Sequence, residues 1–423
     1  MIERHPLDAV SATAFLLVAV AAAVASYKRP AWGIALLILT GPFAFSHDAW
    51  RTTITLPKVV LLGVILALAL RRVSIRPLWS REVGPLVVAV LVLIGANALS
   101  AIPAAYIDPV LRETAKALEY AIVFACCVLA TVADPDPVPF RWALIVAVSL
   151  VSLMAMSQEF LGAPSAVYIG GHVVPRIAGP LDGPNQLAGY LGLAIPVLFA
   201  FAISTRRPLH IGACALAFLA LVLTLSRAGL VSTLLAIGLL TVILRGADIR
   251  IFLLAGAGAL TAVLGVLASI GGLGRIFSVA DTASPTGLAS RSLLWAAAIK
   301  LWTQSPWLGI GAGNFELSLP SVGLLSARTH ANSLYFQALA EGGIPLLLAS
   351  LGTLIVPIVT FVKSRSRDPL VLGAIAATFG LAVHQIFDFL TFYPKVGMLW
   401  WILLGVAAGR LVIERRGTAP QGP

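Results

Sequence analysis

The chain has 423 residues, 59% hydrophobic and 11% charged, with a mean hydropathy of +0.97 and a net charge of +11. Soluble domains run at roughly 45–50% apolar and about 25% charged residues, so a protein this apolar lacks the polar surface to face water. That excludes a soluble enzyme, a disordered chain and a nucleic-acid-binding module, and makes lipid the solvent for most of the molecule.

A helix needs about 20 apolar residues to cross the hydrocarbon, and only helices or closed barrels satisfy their backbone there. The apolar runs are long and unbroken rather than alternating, which predicts a helical bundle. In chain order the spans are expected over 9–26, 31–45, 56–70, 83–99, 115–132, 142–160, 186–203, 209–224, 229–244, 251–270, 344–362, 370–387 and 396–411. Gly41 and Pro42 interrupt the second, so the count is 12 or 13. The fold class read here is an all-α polytopic membrane protein, with 1–423 as a single integral-membrane domain. The first stretch ends Ala23-Val24-Ala25-Ser26, as a signal peptide can. Its leading residues Glu3, Arg4 and Asp8 carry no positive excess, so it reads as a span. Cys126, Cys127 and Cys214 all lie in apolar spans as small hydrophobes and offer no disulfide or zinc spacing.

Lys and Arg accumulate in loops that stay in the cytoplasm. Alternating the spans gathers Lys28, Arg29, Arg71, Arg72, Arg141, Arg206, Arg207, Lys363, Arg365, Arg410 and Arg415 on that side. In all, 17 of the 29 basic and six of the 18 acidic residues fall there, which accounts for the whole net charge. The N-terminus is then outside and the C-terminus inside. The basic balance describes topology, with attraction to anionic membrane lipids as a consequence, and not nucleic-acid binding.

Two segments break the pattern of short loops on the outer side. One is the Gly- and Pro-rich 161–185. The other is 271–343, about 70 residues, a length usual for functional or disordered loops. Trp295, Trp302, Trp307, Phe315, Tyr335 and Phe336 make it too aromatic for disorder. Within it, 290–302 reads as an amphipathic helix with Ser290 as N-cap, expected at the membrane boundary with its Trp side toward lipid. A structured loop over one face of a bundle suggests a site between the two.

The residues able to do chemistry fall on that face. Arg227 stands in Leu225-Ser226-Arg227-Ala228-Gly229, a tight turn between two spans. Its bland reading is a headgroup anchor that snorkels; beside Ser226 it also reads as a ligand-binding arginine. Arg176 precedes Gly179-Pro180-Leu181-Asp182-Gly183-Pro184-Asn185-Gln186, and Arg291 opens the amphipathic helix. Each alone reads as a surface charge. Three on one face suit an anionic, lipid-linked ligand, because guanidinium pairs with phosphate through two parallel hydrogen bonds. Of six histidines, His330 in Thr329-His330-Ala331-Asn332-Ser333 is the candidate general base. His384 reads as a packing residue that pairs with Asp388 one turn on. Two motifs are dismissed: Asp134-Pro135-Asp136 is a Pro-rich turn on the opposite face, and Gly309-Ile310-Gly311-Ala312-Gly313 lacks the βαβ unit of a dinucleotide loop.

From Arg176 to Leu346 the motifs resemble, in order and topology, the O-antigen ligase and polymerase superfamily of bacterial inner-membrane glycosyltransferases. They are Arg176-x-x-Gly179 with Gly183-Pro184-Asn185-Gln186-Leu187-Ala188, then Leu223-Thr224-Leu225-Ser226-Arg227-Ala228, then Ser290-Arg291 with Trp295. Pro306-Trp307-Leu308-Gly309-x-Gly311-x-Gly313-Asn314-Phe315 follows, and last His330 through Gly343. The resemblance implies a GT-C-like bundle and a metal-independent, inverting transfer without a cofactor. The glycan would pass from an undecaprenyl-diphosphate carrier to a lipid A-core or a second lipid-linked glycan, outside the cytoplasmic membrane. Arg227 and Arg291 would hold the diphosphate and His330 would deprotonate the acceptor. Arg176, Asn185, Ser226, Asn332 and Tyr335 would contact substrate.

One departure stands out. Counting back from Gly343, the family's histidine position holds Asn332, with Ser333 next to it; His330 lies two residues earlier. In a helix that displacement turns the side chain to another face, whereas in an extended segment it is harmless. A ligase and a polymerase share the donor and differ in acceptor, so both remain. A transporter or flippase is the other class that stays open; such proteins commonly show internal repeats and unwound midplane helices, and the sequence shows neither a repeat nor a midplane acidic cluster.

Overall fold

A computed structural model describes residues 9–43, 46–49, 52–169, 172–244, 288–325 and 329–418. Backbone groups in hydrocarbon have to pair within their own segment, and the apolar stretches accordingly form helices. These are α1 (Ala9–Lys28), α2 (Pro30–Thr40), α3 (Leu56–Leu70), α4 (Gly84–Leu99), α5 (Ile107–Ala133), α6 (Val138–Leu161) and α7 (Pro184–Thr205). Next come α8 (Pro208–Leu223), α9 (Arg227–Ile243), α10 (Leu288–Gln304), α11 (Phe315–Ser318), α12 (Leu334–Ser364), α13 (Pro369–His384) and α14 (Pro394–Thr418). Twelve of the thirteen expected spans coincide with α1–α9 and α12–α14; the other, 251–270, lies outside the described residues. Among the described residues, six helices (α1, α5, α6, α7, α12 and α14) are long and apolar enough to cross a membrane, and six apolar helices are shorter. The protein is an all-α polytopic membrane protein.

Helix boundaries follow local chemistry. Proline occupies one of the first two positions of α2, α3, α6, α7, α8 and α13, where its missing N–H is no loss. The second span is the short one anticipated: α2 stops at Thr40, before Gly41-Pro42. Among the described residues, two hairpins interrupt the helical pattern. Strands β1 (Ser46–Ala49) and β2 (Thr52–Thr55) pair antiparallel, as do β3 (Ser165–Ile169) and β4 (His172–Arg176). Both contain β-branched residues, which suit extended backbone; their runs are too short to stand out from loop sequence.

Helices α7, α13 and α14 form the centre. In α14 89% of the apolar window is buried, against 11% in α1, which therefore lies at the periphery. Exposed Leu16, Leu17, Leu62, Leu66, Val88, Leu91 and Leu348 form an apolar belt that suits lipid and not water.

The bundle has two chemically distinct ends. At one, Arg29 pairs with Asp134 and Asp136 at 3.2 and 2.8 Å, Arg410 with Asp368 at 2.6 Å, and Arg415 with Glu82 at 2.6 Å. These are residues that the charge count places together on the cytoplasmic side, and Asp134-Pro135-Asp136 serves there as a clamp on Arg29. At the other end, Lys395 reaches Asp182 at 3.0 Å, Asn314 bonds both backbone groups of Tyr106, and Ser100 accepts from the Ala312 N–H. The segments expected to build a site gather at this second end.

A candidate active site of three arginines and a histidine

Arg176 closes strand β4, opposite Ser165. Its Nε donates to the Thr224 carbonyl at 2.9 Å and its Nη2 to Asn185 Oδ1 at 3.0 Å. The hairpin is thereby tied to the α8–α9 turn and to the first turn of α7. In the α8–α9 turn, buried Leu225 takes φ +53°, a left-handed conformation that costs an L-residue roughly 1–2 kcal/mol. Ser226 then caps α9, its Oγ accepting from the Gly229 N–H at 3.3 Å, so the strained turn fixes Arg227 as the first residue of that helix.

Arg291 comes to the same place from α10. This helix starts at Leu288, two residues before the expected cap, so Ser290 lies inside its first turn. Leu294, Ala297, Ala298 and Leu301 form its buried face. Trp295 stacks on Phe336 at 5.2 Å between ring centres and approaches Phe387 at 6.3 Å. That corrects the expectation of a tryptophan directed at lipid: the ring packs on the bundle, because aromatic partners are available there. Burial lowers the pKa of the Arg291 guanidinium, Asp388 opposes the effect, and the like charge of Arg227 adds to it.

Asp388 is the anion at the middle of the cluster. It is 6% exposed, accepts from the Phe389 N–H at 2.8 Å, and is hydrogen-bonded by Asn185. Burial raises its pKa against those hydrogen bonds and against the charges of Arg291 and Arg176. The expected His384–Asp388 pair is therefore replaced by an Asn185–Asp388 pair that bridges to Arg176. His384 is buried, with no hydrogen-bond partner for its Nε2. Its ring lies close enough to Gly229 that a Cβ there would meet Cε1 at 3.3 Å.

His330 sits before α12 in non-helical chain, so its two-residue displacement does not turn it through a helical angle. Its ring lies 3.9 Å from the centre of Phe392 and about 6 Å from those of Phe389 and Tyr393. Lys116 stands 4.2 Å from the centre of the same Phe392 ring. Burial, reinforced by the Lys116 charge, pulls the imidazole down to about 4. It is therefore neutral at pH 7 and able to accept a proton. Asn332 adopts φ +50° and Ser333 returns to extended backbone as the cap of α12. The Tyr335 hydroxyl donates to the Ala382 carbonyl at 2.7 Å and so braces α12 against α13.

Arg176, Asn185 and Arg291 thus meet at Asp388, with Arg227 beside Arg291. His330 stands beside the 389–393 segment that follows that aspartate. Sequence reasoning missed Asp388 as the shared counter-charge and Lys116 as the neighbour of His330. The signal was there: each is a charged residue next to or inside an apolar run, where charges are rare and functional.

Arg227, Arg291 and His330 fall within residues 212–351, which match a family profile described as O-antigen ligase. Arg176, Asn185 and Asp388 lie outside the matched stretch, which covers about a third of the chain. No curated protein matches the chain.

Proposed function

We propose that this member of the O-antigen ligase superfamily moves a glycan from an undecaprenyl-diphosphate carrier to an acceptor hydroxyl, on the extracytoplasmic face of the bacterial cytoplasmic membrane. Membrane residence and a ligase- or polymerase-like glycosyltransferase follow from the apolar helices and the family; donor, acceptor and side are the proposal. The observation that supports it is the meeting of Arg176 and Arg291 at the Asp388 carboxylate, with Arg227 beside Arg291. Guanidinia brought together from three segments suit a diphosphate, whose oxygens take paired hydrogen bonds.

In this mechanism Arg227 and Arg291 hold the diphosphate and stabilise the charge that grows on it as the glycosidic C–O bond breaks. Asn185 holds Arg176 in place beside them. Neutral His330 takes the proton of the acceptor hydroxyl as that oxygen attacks the anomeric carbon from the face opposite the leaving group. The configuration inverts and no metal ion is required. The acceptor favoured is lipid A-core, which makes the protein an O-antigen ligase; a polymerase would use a second lipid-linked glycan at the same site. Mass spectrometry of lipid-linked glycans in a deletion strain separates these. Long chains left on the carrier indicate a ligase and single repeats a polymerase. A normal profile would contradict both.

A further inference from the structure

His330 is held by its neighbours rather than by a regular element, and the strongest of these holds runs through two buried side chains of α12. Gln337 is 2% exposed and Glu341 5%. The Ala331 N–H donates to Gln337 Oε1 at 2.7 Å, and Gln337 Nε2 donates to Glu341 Oε1 at 2.7 Å. The Phe315 N–H donates to the same Glu341 oxygen at 3.1 Å, and the Gly313 N–H also bonds this carboxylate. The foot of this strut cannot slide. The Gly311 N–H holds the Glu341 carbonyl at 2.8 Å, and a Cβ on Gly309 would fall 2.3 Å from the Glu341 carbonyl carbon. On its other flank the segment is anchored by the Leu334 N–H, which is shared between the Gln385 and Asp388 carbonyls at 3.0 and 3.2 Å.

From this geometry we infer that Gln337 and Glu341 are positioning residues for the transfer. They fix the backbone on either side of Ala331, and so set where the His330 imidazole and the Asn332 amide stand relative to Asp388 and the arginines. The inference rests on the base role of His330 proposed above. It also gives the Gly309–Gly313 stretch a task that its sequence did not reveal: its backbone supplies the donors against which the Glu341 carboxylate is braced. In the strut Glu341 Oε1 accepts from both Gln337 Nε2 and the Phe315 N–H. Glutamine at 341 can therefore keep both bonds through its amide oxygen, whereas an apolar side chain at 337 breaks the chain of bonds at Ala331.

The test is a cycle of variants in the full-length protein, assayed with purified lipid-linked donor and acceptor. Gln337→Met is expected to lower kcat about tenfold to a hundredfold, the scale on which a misplacement near 1 Å acts, with donor KM unchanged. Glu341→Gln, which keeps an oxygen to accept from Gln337 Nε2 and the Phe315 N–H, should hold kcat to within about threefold of wild type. In a His330→Ala background Gln337→Met should cause no further loss, because residues that act as one unit are not additive. A merely structural strut predicts the opposite, an additional loss whether or not His330 is present, and that result overturns the inference while leaving the base role intact. Wild-type turnover in His330→Ala would overturn the base role and the inference together. Should Gln337→Met not accumulate in membranes, Glu341→Gln decides alone: a folded Glu341→Gln variant with kcat down as far as expected for Gln337→Met refutes the strut.

Discussion

Replacing Arg291 with alanine should remove activity without weakening the protein. The side chain is half-buried, its charge is opposed by burial and by Arg227, and only Asp388 favours it. None of the residues that seat α10 on the bundle is Arg291 itself; that work falls to Leu294, Ala297, Ala298 and Leu301. The Arg291 guanidinium thus lies beside the like charge of Arg227 with Asp388 as counter-charge, an arrangement suited to binding a further anion. Loss of one preorganised donor to a developing anion typically lowers turnover by about 10²–10³, and that is the expected fall in kcat for Arg291→Ala. The melting temperature should stay the same or rise, as when strain at a functional site is relieved. Arg291→Lys should recover only part of the rate, because an ammonium is a point charge and cannot form the paired hydrogen bonds. The assay is glycan transfer with purified donor and acceptor, run beside a thermal melt in the same detergent. A variant that melts lower yet transfers at the wild-type rate would show that Arg291 is a structural anchor and that the donor site lies elsewhere.

His330 titrates at about 4 in the free protein, so the acid limb of kcat/KM should lie near that value and vanish in His330→Ala, with kcat lower by about 10²–10⁴; an unchanged profile removes it from the site. Asn332→Ala should do less than His330→Ala, and the reverse order would shift the role to Asn332. Lys116→Gln removes a positive neighbour and favours the imidazolium, so the acid limb should move to higher pH; a limb that stays put means the two groups do not communicate. Gly343 has φ +63° and ψ −156° at the kink of α12, and a Cβ there would lie 2.5 Å from the Trp307 carbonyl. Gly343→Ala should cost about 1–3 kcal/mol in backbone strain alone, read as a lower melting temperature, and an unchanged melt would refute the kink's tight packing. For topology, with the three native cysteines replaced, an impermeant thiol reagent on intact spheroplasts should label a cysteine at Ser284 and spare one at Ser364; labelling in the opposite sense puts the site in the cytoplasm and ends the functional argument.

The spans were readable because lipid imposes one rule, and α3 (Leu56–Leu70) falls where its apolar run predicts to the residue. Helices α5 and α12 extend well beyond their apolar stretches, to Ile107 and Leu334. Their N-terminal extensions carry Glu113, Gln337 and Glu341 into the protein, where partners replace water. A hydropathy reading stops at such residues and so misses them. Arg227, Arg291 and Arg176 were readable as three cations on one face, but not the link through Asn185 and Asp388. That link joins positions about 200 residues apart in the chain, and nothing local marks it. The displacement of His330 was readable and its consequence was not, because whether two residues matter depends on the backbone between His330 and Ser333. That backbone is a turn with Asn332 in the left-handed region, held by a glutamine and a glutamate that look from sequence like ordinary members of an amphipathic helix.

The central claim is transfer of a glycan from a lipid diphosphate, and reconstitution into liposomes tests it most directly. The purified protein is supplied with undecaprenyl-diphosphate-linked glycan and lipid A-core, and products are weighed by mass spectrometry. Transfer predicts an acceptor heavier by the whole glycan, release of undecaprenyl diphosphate in equal amount, and loss of both in Arg227→Ala. Redistribution of intact donor between the leaflets, with neither lipid A-core nor a second donor molecule extended, would contradict it and mark the protein as a flippase.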